Sequence, residues 1–165
     1  MLISKKYGFL FVHIAKTGGT SIRTALTPLM RRDPSRWLQS VCSRISGLTG
    51  HRLGVKFPRH AKAIAASEML PGDYFRGLFK FGFVRNPWDR AVSWWAYHRR
   101  GHGYPSKFGD WVRSAGDKEF LFNGGRANWV RLGYNPIVQA NFLKVGGELA
   151  VDFVGKVEDM KRDLK

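Results

Sequence analysis

Lys16-Thr17-Gly18-Gly19-Thr20-Ser21 packs one cation, two glycines and three hydroxyls into consecutive positions just after the apolar run Phe9 to Ile14. A glycine turn that delivers a buried strand into a helix is a natural anion cradle. The helix N-terminus offers unpaired backbone N–H groups and the positive end of the helix dipole. Gly18 and Gly19 would let backbone approach a phosphate or sulfate closely, Thr17, Thr20 and Ser21 can donate hydroxyls, and Lys16 supplies charge. The spacing is not that of a Walker A loop, because the lysine precedes the glycines. No strand-end Asp suited to holding Mg²⁺ is found either, so a metal-free anion site is expected. A tight turn whose glycines serve only backbone geometry, with a solvated lysine, would have the same composition, so this motif needs a second witness.

Arg85 is that witness. It follows the Phe-rich run Leu78 to Val84 and precedes Asn86-Pro87-Trp88-Asp89, a helix start with Asn at the cap, Pro at the first helical position and Asp in the first turn. A residue at such a junction lies at the C-terminal edge of a sheet, where open α/β sheets bind ligands. Its guanidinium presents a rigid fork of donors matched to phosphate. Ser93, two turns along the helix, falls on the polar stripe Asn86, Asp89, Arg90, Ser93, Tyr97. The competing reading pairs Arg85 with Asp89 and leaves Ser93 an exposed helix residue.

The elements that must position these groups alternate between strand and helix. Phe9 to Ile14 reads as a buried parallel strand, followed by a helix from Ile22 that Pro28 stops. Trp37, Val41, Ile45 and Leu48 recur at helical spacing, predicting a helix from Pro34 to about Ser46 with Asp33 at its start. A helix over Arg59 to Met69 ends before Pro71-Gly72. The strand Leu78 to Val84 then enters a helix that runs to about Arg99 with Trp88, Ala91, Val92 and Trp95 on one apolar face. Asn135-Pro136 opens a helix through Leu143, Val151 to Val154 forms a strand, and Glu158 begins a last helix. The pattern predicts one α/β domain with a mainly parallel sheet flanked by helices and a P-loop-like strand–loop–helix for phosphate.

Phe11-Val12-His13-Ile14-Ala15-Lys16-Thr17-Gly18-Gly19-Thr20-Ser21 and Phe81-Gly82-Phe83-Val84-Arg85-Asn86-Pro87-Trp88-Asp89-Arg90-Ala91-Val92-Ser93 together resemble the two signatures by which sulfotransferases bind 3′-phosphoadenosine 5′-phosphosulfate (PAPS). The resemblance is strongest to the carbohydrate sulfotransferase branch, and it extends more weakly through Arg59-His60-Ala61 and Val151 to Glu158. It implies that residues 16–21 form the 5′-phosphosulfate loop and that Arg85 and Ser93 bind the 3′-phosphate. It also implies Lys16 as the catalytic cation and His60 as the base, with Glu68 the alternative and His13 a weaker one. The donor would be PAPS and the product adenosine 3′,5′-bisphosphate, without a metal. The acceptor would be a hydroxyl or amine compound such as a carbohydrate. Ala15 stands where the family usually has Pro. Because the family normally continues several tens of residues past the Glu158 region, residues 1–165 are expected to form a sulfotransferase-like domain lacking the family's C-terminal part.

Composition bounds the alternatives. Hydrophobic residues at 44% and charged residues at 24% exclude a disordered tail. With 28 Lys and Arg against 12 Asp and Glu, the formal charge of +16 implies an anionic partner. The excess is concentrated early: residues 1–67 carry 12 basic groups and one acid, Asp33. Charge alone does not choose among nucleic acid, acidic membrane, nucleotide phosphates and acidic sugars. Arg31, Arg32, Arg99 and Arg100 hint at an acidic acceptor, with loops Arg99 to Lys107 and Asn123 to Asn135 setting specificity. Cys42 is the only cysteine, which excludes an internal disulfide and a cysteine-rich metal site. No leader or apolar span is found, so a cytoplasmic protein without a membrane span is expected. The competing functions are a kinase-like P-loop protein, which would hydrolyse nucleotide with Mg²⁺, and a polyanion binder without enzymatic activity. The latter lacks any nucleic-acid recognition signature here. A relative that binds nucleotide without turnover is the third.

Overall fold

The apolar alternation along Phe9-Leu10-Phe11-Val12 sends successive side chains to opposite faces of a sheet, and both faces are covered. In the computed structural model, which describes residues 1–35, 41, 57–99, 107–114 and 138–164, this run is β2 (Phe9–Val12), buried at every position. Leu10, Val12 and Ile14 point into one core with Ala63, Ala66, Leu78, Phe142 and Leu143. Phe11 points into the other with Ile22 and Phe83.

Among the described residues the sheet has four strands in the order β1 (Leu2–Ser4), β2, β3 (Phe79–Val84), β6 (Phe153–Lys156). β2 pairs with β3 in parallel, Phe9 opposite Phe79 through Val12 opposite Gly82, and β3 pairs with β6 in parallel. β1 runs antiparallel to β2 along the edge. The chain is thus an α/β domain whose sheet is mainly parallel, with helices flanking it. The β1 edge strand was not expected, since three residues are too few for a periodic signal. It is held by Asp33, whose buried carboxylate accepts from the Ser4 hydroxyl, the Lys6 N–H at 3.2 Å and the Ser35 N–H at 2.9 Å.

The helices are α1 (Gly19–Arg31), α2 (Ala63–Met69), α3 (Gly72–Gly77), α4 (Pro87–His98), α5 (Phe108–Ser114), α6 (Ala140–Leu143) and α7 (Met160–Asp163). Pro28 does not stop α1 but lies inside it. Both Pro28 and Thr24, whose carbonyl loses its partner, are on the exposed face, where water satisfies the freed oxygen. Arg59 and His60 form a turn ahead of α2, so that helix starts four residues later than expected. Pro71-Gly72 opens α3 as well as ending α2. A two-residue hairpin joins β4 (Lys144–Val145) to β5 (Glu148–Leu149) through Gly146 and Gly147, both at positive φ, as a tight hairpin turn requires. β6 starts two residues later than expected, because Asp152 is used to bracket Lys80. The Asp152 carboxylate accepts the Lys80 N–H at 2.6 Å and its ammonium at 3.1 Å, while the Asp152 N–H donates to the Lys80 carbonyl at 2.7 Å. Of the helix expected from Pro34, only Pro34, Ser35 and Val41 are described, and all three are helical. Trp37, Ile45, Leu48, Cys42, Arg100, the Asn135-Pro136 helix start and most of the two expected specificity loops lie outside the described residues.

β3 and β6 pack so closely that side-chain volume is decided by register. Gly155 pairs with Phe83, and a Cβ added at Gly155 would sit 2.4 Å from the Phe83 ring. Gly155→Ala must displace a ring that is 1% exposed. The expected result is a loss of about 1–3 kcal/mol in denaturant-induced unfolding, with no change in denaturant sensitivity. An unaltered midpoint would show that the ring has room to move.

Candidate functional site

Because β2 and β3 are parallel neighbours, the chain leaves both at the same sheet edge. Four residues past Val12 comes Lys16, and three past its partner Gly82 comes Arg85. Adjacent strands are about 4.8 Å apart, so the two junctions emerge side by side. The two cations feel each other. Lys16 is pushed below the ordinary lysine pKa, first by desolvation and then by the positive charge of Arg85.

The loop after β2 is tightly folded. Lys16 adopts φ +67, the left-handed region that a non-glycine residue enters at a cost of about 1 kcal/mol, and Gly18 follows at φ +68 as the cap of α1. α1 has no side-chain cap and no acidic residue in its first turn, so the N–H groups there are left to an external partner. Thr20 and Ser21 are exposed in that turn. Thr17 departs from the expected role of phosphate donor. It is 1% exposed and its hydroxyl donates to the Ile14 carbonyl at 3.0 Å, because the turn would otherwise strand that carbonyl. The glycines also answer to packing within the protein. A Cβ on Gly19 would fall 1.9 Å from His13 Nε2, and one on Gly18 would fall 2.4 Å from Met160.

Arg85 is seated by groups with no local sequence signal. Gln139 grips its backbone with both ends of the amide: Oε1 accepts the Arg85 N–H at 2.9 Å and Nε2 donates to the Arg85 carbonyl at 2.7 Å. The next N–H, on Asn86, donates to the Glu158 carboxylate at 2.7 Å, and that contact is the main reason Glu158 is held below its usual pKa. Asn86 caps α4 as expected, accepting from the Trp88 N–H at 3.0 Å. The expected competitor is not seen: no ion pair joins Arg85 to Asp89 or to any other carboxylate among the described residues. Glu158 is near enough for its charge to interact with that of Arg85, but it does not pair with the guanidinium.

α4 turns one face to the loop. Arg90 donates from Nε to the Ala15 carbonyl at 2.9 Å, and seven residues on, Tyr97 lies under the Lys16 ammonium, 4.3 Å from ring centre. Ser93 is three residues past Arg90 and four before Tyr97, so helix geometry puts it on that same face, where it is half-buried. The stripe containing Ser93 was legible as polar, but Arg90 was not legible as buried: it is 6% exposed and stacks over Trp94, 5.7 Å from ring centre. The expected apolar stripe Trp88, Ala91, Val92 and Trp95 is split, with Ala91 and Trp95 half-buried and the other two exposed. Trp88 is 80% exposed and Val92 45%, since α4 packs through Arg90 and Trp94 toward the loop and through Trp95 against Phe108.

His60 is fixed from below. A carbonyl only accepts, so the 3.0 Å contact between His60 Nδ1 and the His13 carbonyl places the proton on Nδ1 and leaves Nε2 the acceptor in the neutral ring. Desolvation pulls the His60 pKa below the ordinary imidazole value, partly opposed by that hydrogen bond, with Arg59 and Arg23 adding to the lowering. His13 is buried beneath Gly19, its ring 4.5 Å from that of His60, and desolvation followed by the charge of His60 takes its pKa to about 3. Such a ring stays neutral and packs. Glu68 is exposed on the last turn of α2, and no hydrogen bond or ion pair joins it to the loop among the described residues. Arg31 and Arg32 sit at the far end of the 13-residue α1, about 20 Å from the loop at 1.5 Å per residue, so they do not line this edge.

The site therefore gathers two cations that form no close ion pair among the described residues, an open helix N-terminus and an oriented imidazole at one sheet edge, an arrangement suited to holding a polyvalent anion beside a proton acceptor. No helix among the described residues is long and apolar enough to cross a membrane. No curated protein and no solved structure matches the chain. A family model does, over residues 1–126, a span that takes in β2, the Lys16 loop, His60, β3, Arg85 and the whole of α4. By that match, and with the anion-gathering edge inside it, the chain belongs to the sulfotransferase family.

Proposed function

We propose that the chain transfers a sulfuryl group from PAPS to an acceptor hydroxyl or amine, with a carbohydrate as the acceptor class. One observation carries this reading: Lys16 and Arg85 leave adjacent parallel strands at one edge, close enough that the charge of one depresses the pKa of the other, and no carboxylate pairs with Arg85 among the described residues. Two anionic groups on one nucleotide answer that arrangement. The fit extends to the backbone, where the α1 N-terminus has neither an acidic residue nor a side-chain cap to compete with a phosphate. The carbohydrate acceptor rests on the resemblance of both segments to that branch of the family.

When bound, PAPS supplies a sulfuryl group joined to a phosphate leaving group. Arg85 and Ser93 hold the 3′-phosphate, while the loop N–H groups with Lys16, Thr20 and Ser21 hold the 5′ end. Lys16 offsets the negative charge that builds on the departing phosphate oxygen, the usual task of a cation in such displacements. His60 Nε2 takes the proton of the acceptor as the new sulfur–oxygen or sulfur–nitrogen bond forms. Its lowered pKa keeps it unprotonated at neutral pH.

Calorimetry with adenosine 3′,5′-bisphosphate tests the nucleotide assignment. Lys16→Ala and Arg85→Ala should each weaken binding at least tenfold, and unchanged affinity in both would remove the basis for it. The base is tested by the pH dependence of kcat/KM for sulfuryl transfer. His60 works only when deprotonated, and its pKa is lowered, so activity should be full at neutral pH and fall on acidification through a midpoint below the ordinary imidazole value of 6.5. His60→Ala should lower kcat about 10²–10⁴-fold and abolish that acid limb. An acid limb that survives in His60→Ala would assign the proton to another group.

A further inference from the structure

We propose that Arg90 is the positioning residue that sets the Lys16 loop in register with the Arg85 junction, so that one helix serves both ends of the nucleotide; this rests on the nucleotide reading above. Arg90 belongs to α4, the helix that begins two residues after Arg85 and carries Ser93. Its side chain nevertheless reaches across 75 positions of sequence to the Ala15 carbonyl, at 2.9 Å from Nε. It is 6% exposed and lies over the Trp94 ring. A buried guanidinium is costly unless its donors are used, so this contact is one the fold is built around.

What the bond controls is the peptide between Ala15 and Lys16. No cis peptide is present among the described residues, and in a trans peptide the carbonyl and the following N–H point in opposite directions. Holding the Ala15 carbonyl toward α4 therefore turns the Lys16 N–H away from α4. The preceding peptide is tied in the same manner by the Thr17 hydroxyl on the Ile14 carbonyl. Two successive carbonyls are thus engaged internally, and neither presents its lone pairs to an anion in the loop. The two bonds also flank the one non-glycine residue with positive φ among the described residues, Lys16 at +67. Without the Arg90 contact, Lys16 could relax toward an ordinary backbone conformation and carry its ammonium with it.

Arg90→Lys is the test variant, because lysine keeps the charge but cannot supply the planar fork. Arg90→Gln, which keeps a neutral donor, is the second should the first fail to fold. Binding of adenosine 3′,5′-bisphosphate, adenosine 5′-phosphate and adenosine 3′-phosphate is measured by calorimetry. The two ligands with a 5′-phosphate should weaken at least tenfold, and adenosine 3′-phosphate should stay within twofold of wild type. Equal weakening of all three would mean a general structural role and overturn the proposal, as would no weakening at all. Hydrogen exchange of the free protein gives a readout that needs no ligand. Amides of Lys16 and Thr17 should exchange at least tenfold faster in the variant while those of β3 are unchanged, and unaltered loop exchange overturns the proposal. Failure of the wild type to bind any of the three would instead overturn the nucleotide reading, with exchange still deciding the role of Arg90.

Discussion

The parallel pairing of β2 with β3 is the constraint on which everything at this edge depends. An antiparallel pair would send the two strand ends to opposite edges, and Lys16 and Arg85 would then be separated by the length of the sheet. Parallel pairing requires a long connection between the strands, and residues 13–78 provide it. It also requires that both faces of the strands be covered. That is why β2 is buried at all four positions, why its side chains divide between two cores, and why Gly82 and Gly155 are glycines. The Cβ that each lacks would meet Leu143 at 2.7 Å and Phe83 at 2.4 Å. The chemistry at the edge and the packing beneath it are consequences of one pairing.

Parallel strands bring the junctions together but do not hold them at a fixed spacing; polar contacts of long sequence separation do that. Gln139 brackets Arg85 from 54 residues away, Glu158 receives the Asn86 N–H from 72, and Arg90 reaches the Ala15 carbonyl from 75. Each uses a backbone group that would otherwise be left unpaired where a strand has ended and a helix has not yet begun. The contacts of Gln139 and Arg90 are partly buried, where a backbone group without a partner is costly, so they stabilise the junctions while fixing their geometry, and the exposed Glu158 contact adds to the geometry. The candidate anion-binding residues fall within two short motifs, and the residues that hold those motifs in place lie far from them in sequence.

That division explains what could be read from the chain alone. Phe9 to Val12 and Phe79 to Val84 were legible because buried parallel strands are apolar runs, and the start of α4 was legible because Asn86-Pro87 is capping chemistry. Lys16, Arg85 and Ser93 were legible as candidates because they flank those elements at fixed offsets. Gln139 was not, since a lone Gln near a helix start carries no periodic or motif signal. Arg90 was legible as a member of a polar stripe but not as a buried residue. Its one local clue is Trp94 four residues on, a spacing at which a guanidinium can stack on an indole, and that clue points to burial as easily as to exposure. Pro28 misled in the other direction, because a proline near the end of an exposed helix face disfavours the helix without always ending it. The exposed Trp88 and Val92 show the same limit: periodicity identifies a stripe on a helix but not the surface that stripe meets.

The electrostatics of the edge follow from the same assembly. Lys16, Arg85 and Arg90 gather around the two junctions, and Glu158, whose carboxylate accepts from the Asn86 N–H, offsets part of the Arg85 charge without pairing with it. Like charges brought together raise the free energy of the folded protein, and here the Lys16 pKa is lowered first by desolvation and then by the positive charge of Arg85. An anion that enters between the cations removes the repulsion and adds attraction, so its binding gains from work already done in folding. The same field would repel a cationic ligand of equal shape and give a neutral one no charge–charge attraction. Selection at this edge is therefore exerted first by charge and only then by shape, and the selecting charge comes from the very residues that the parallel sheet forces into proximity.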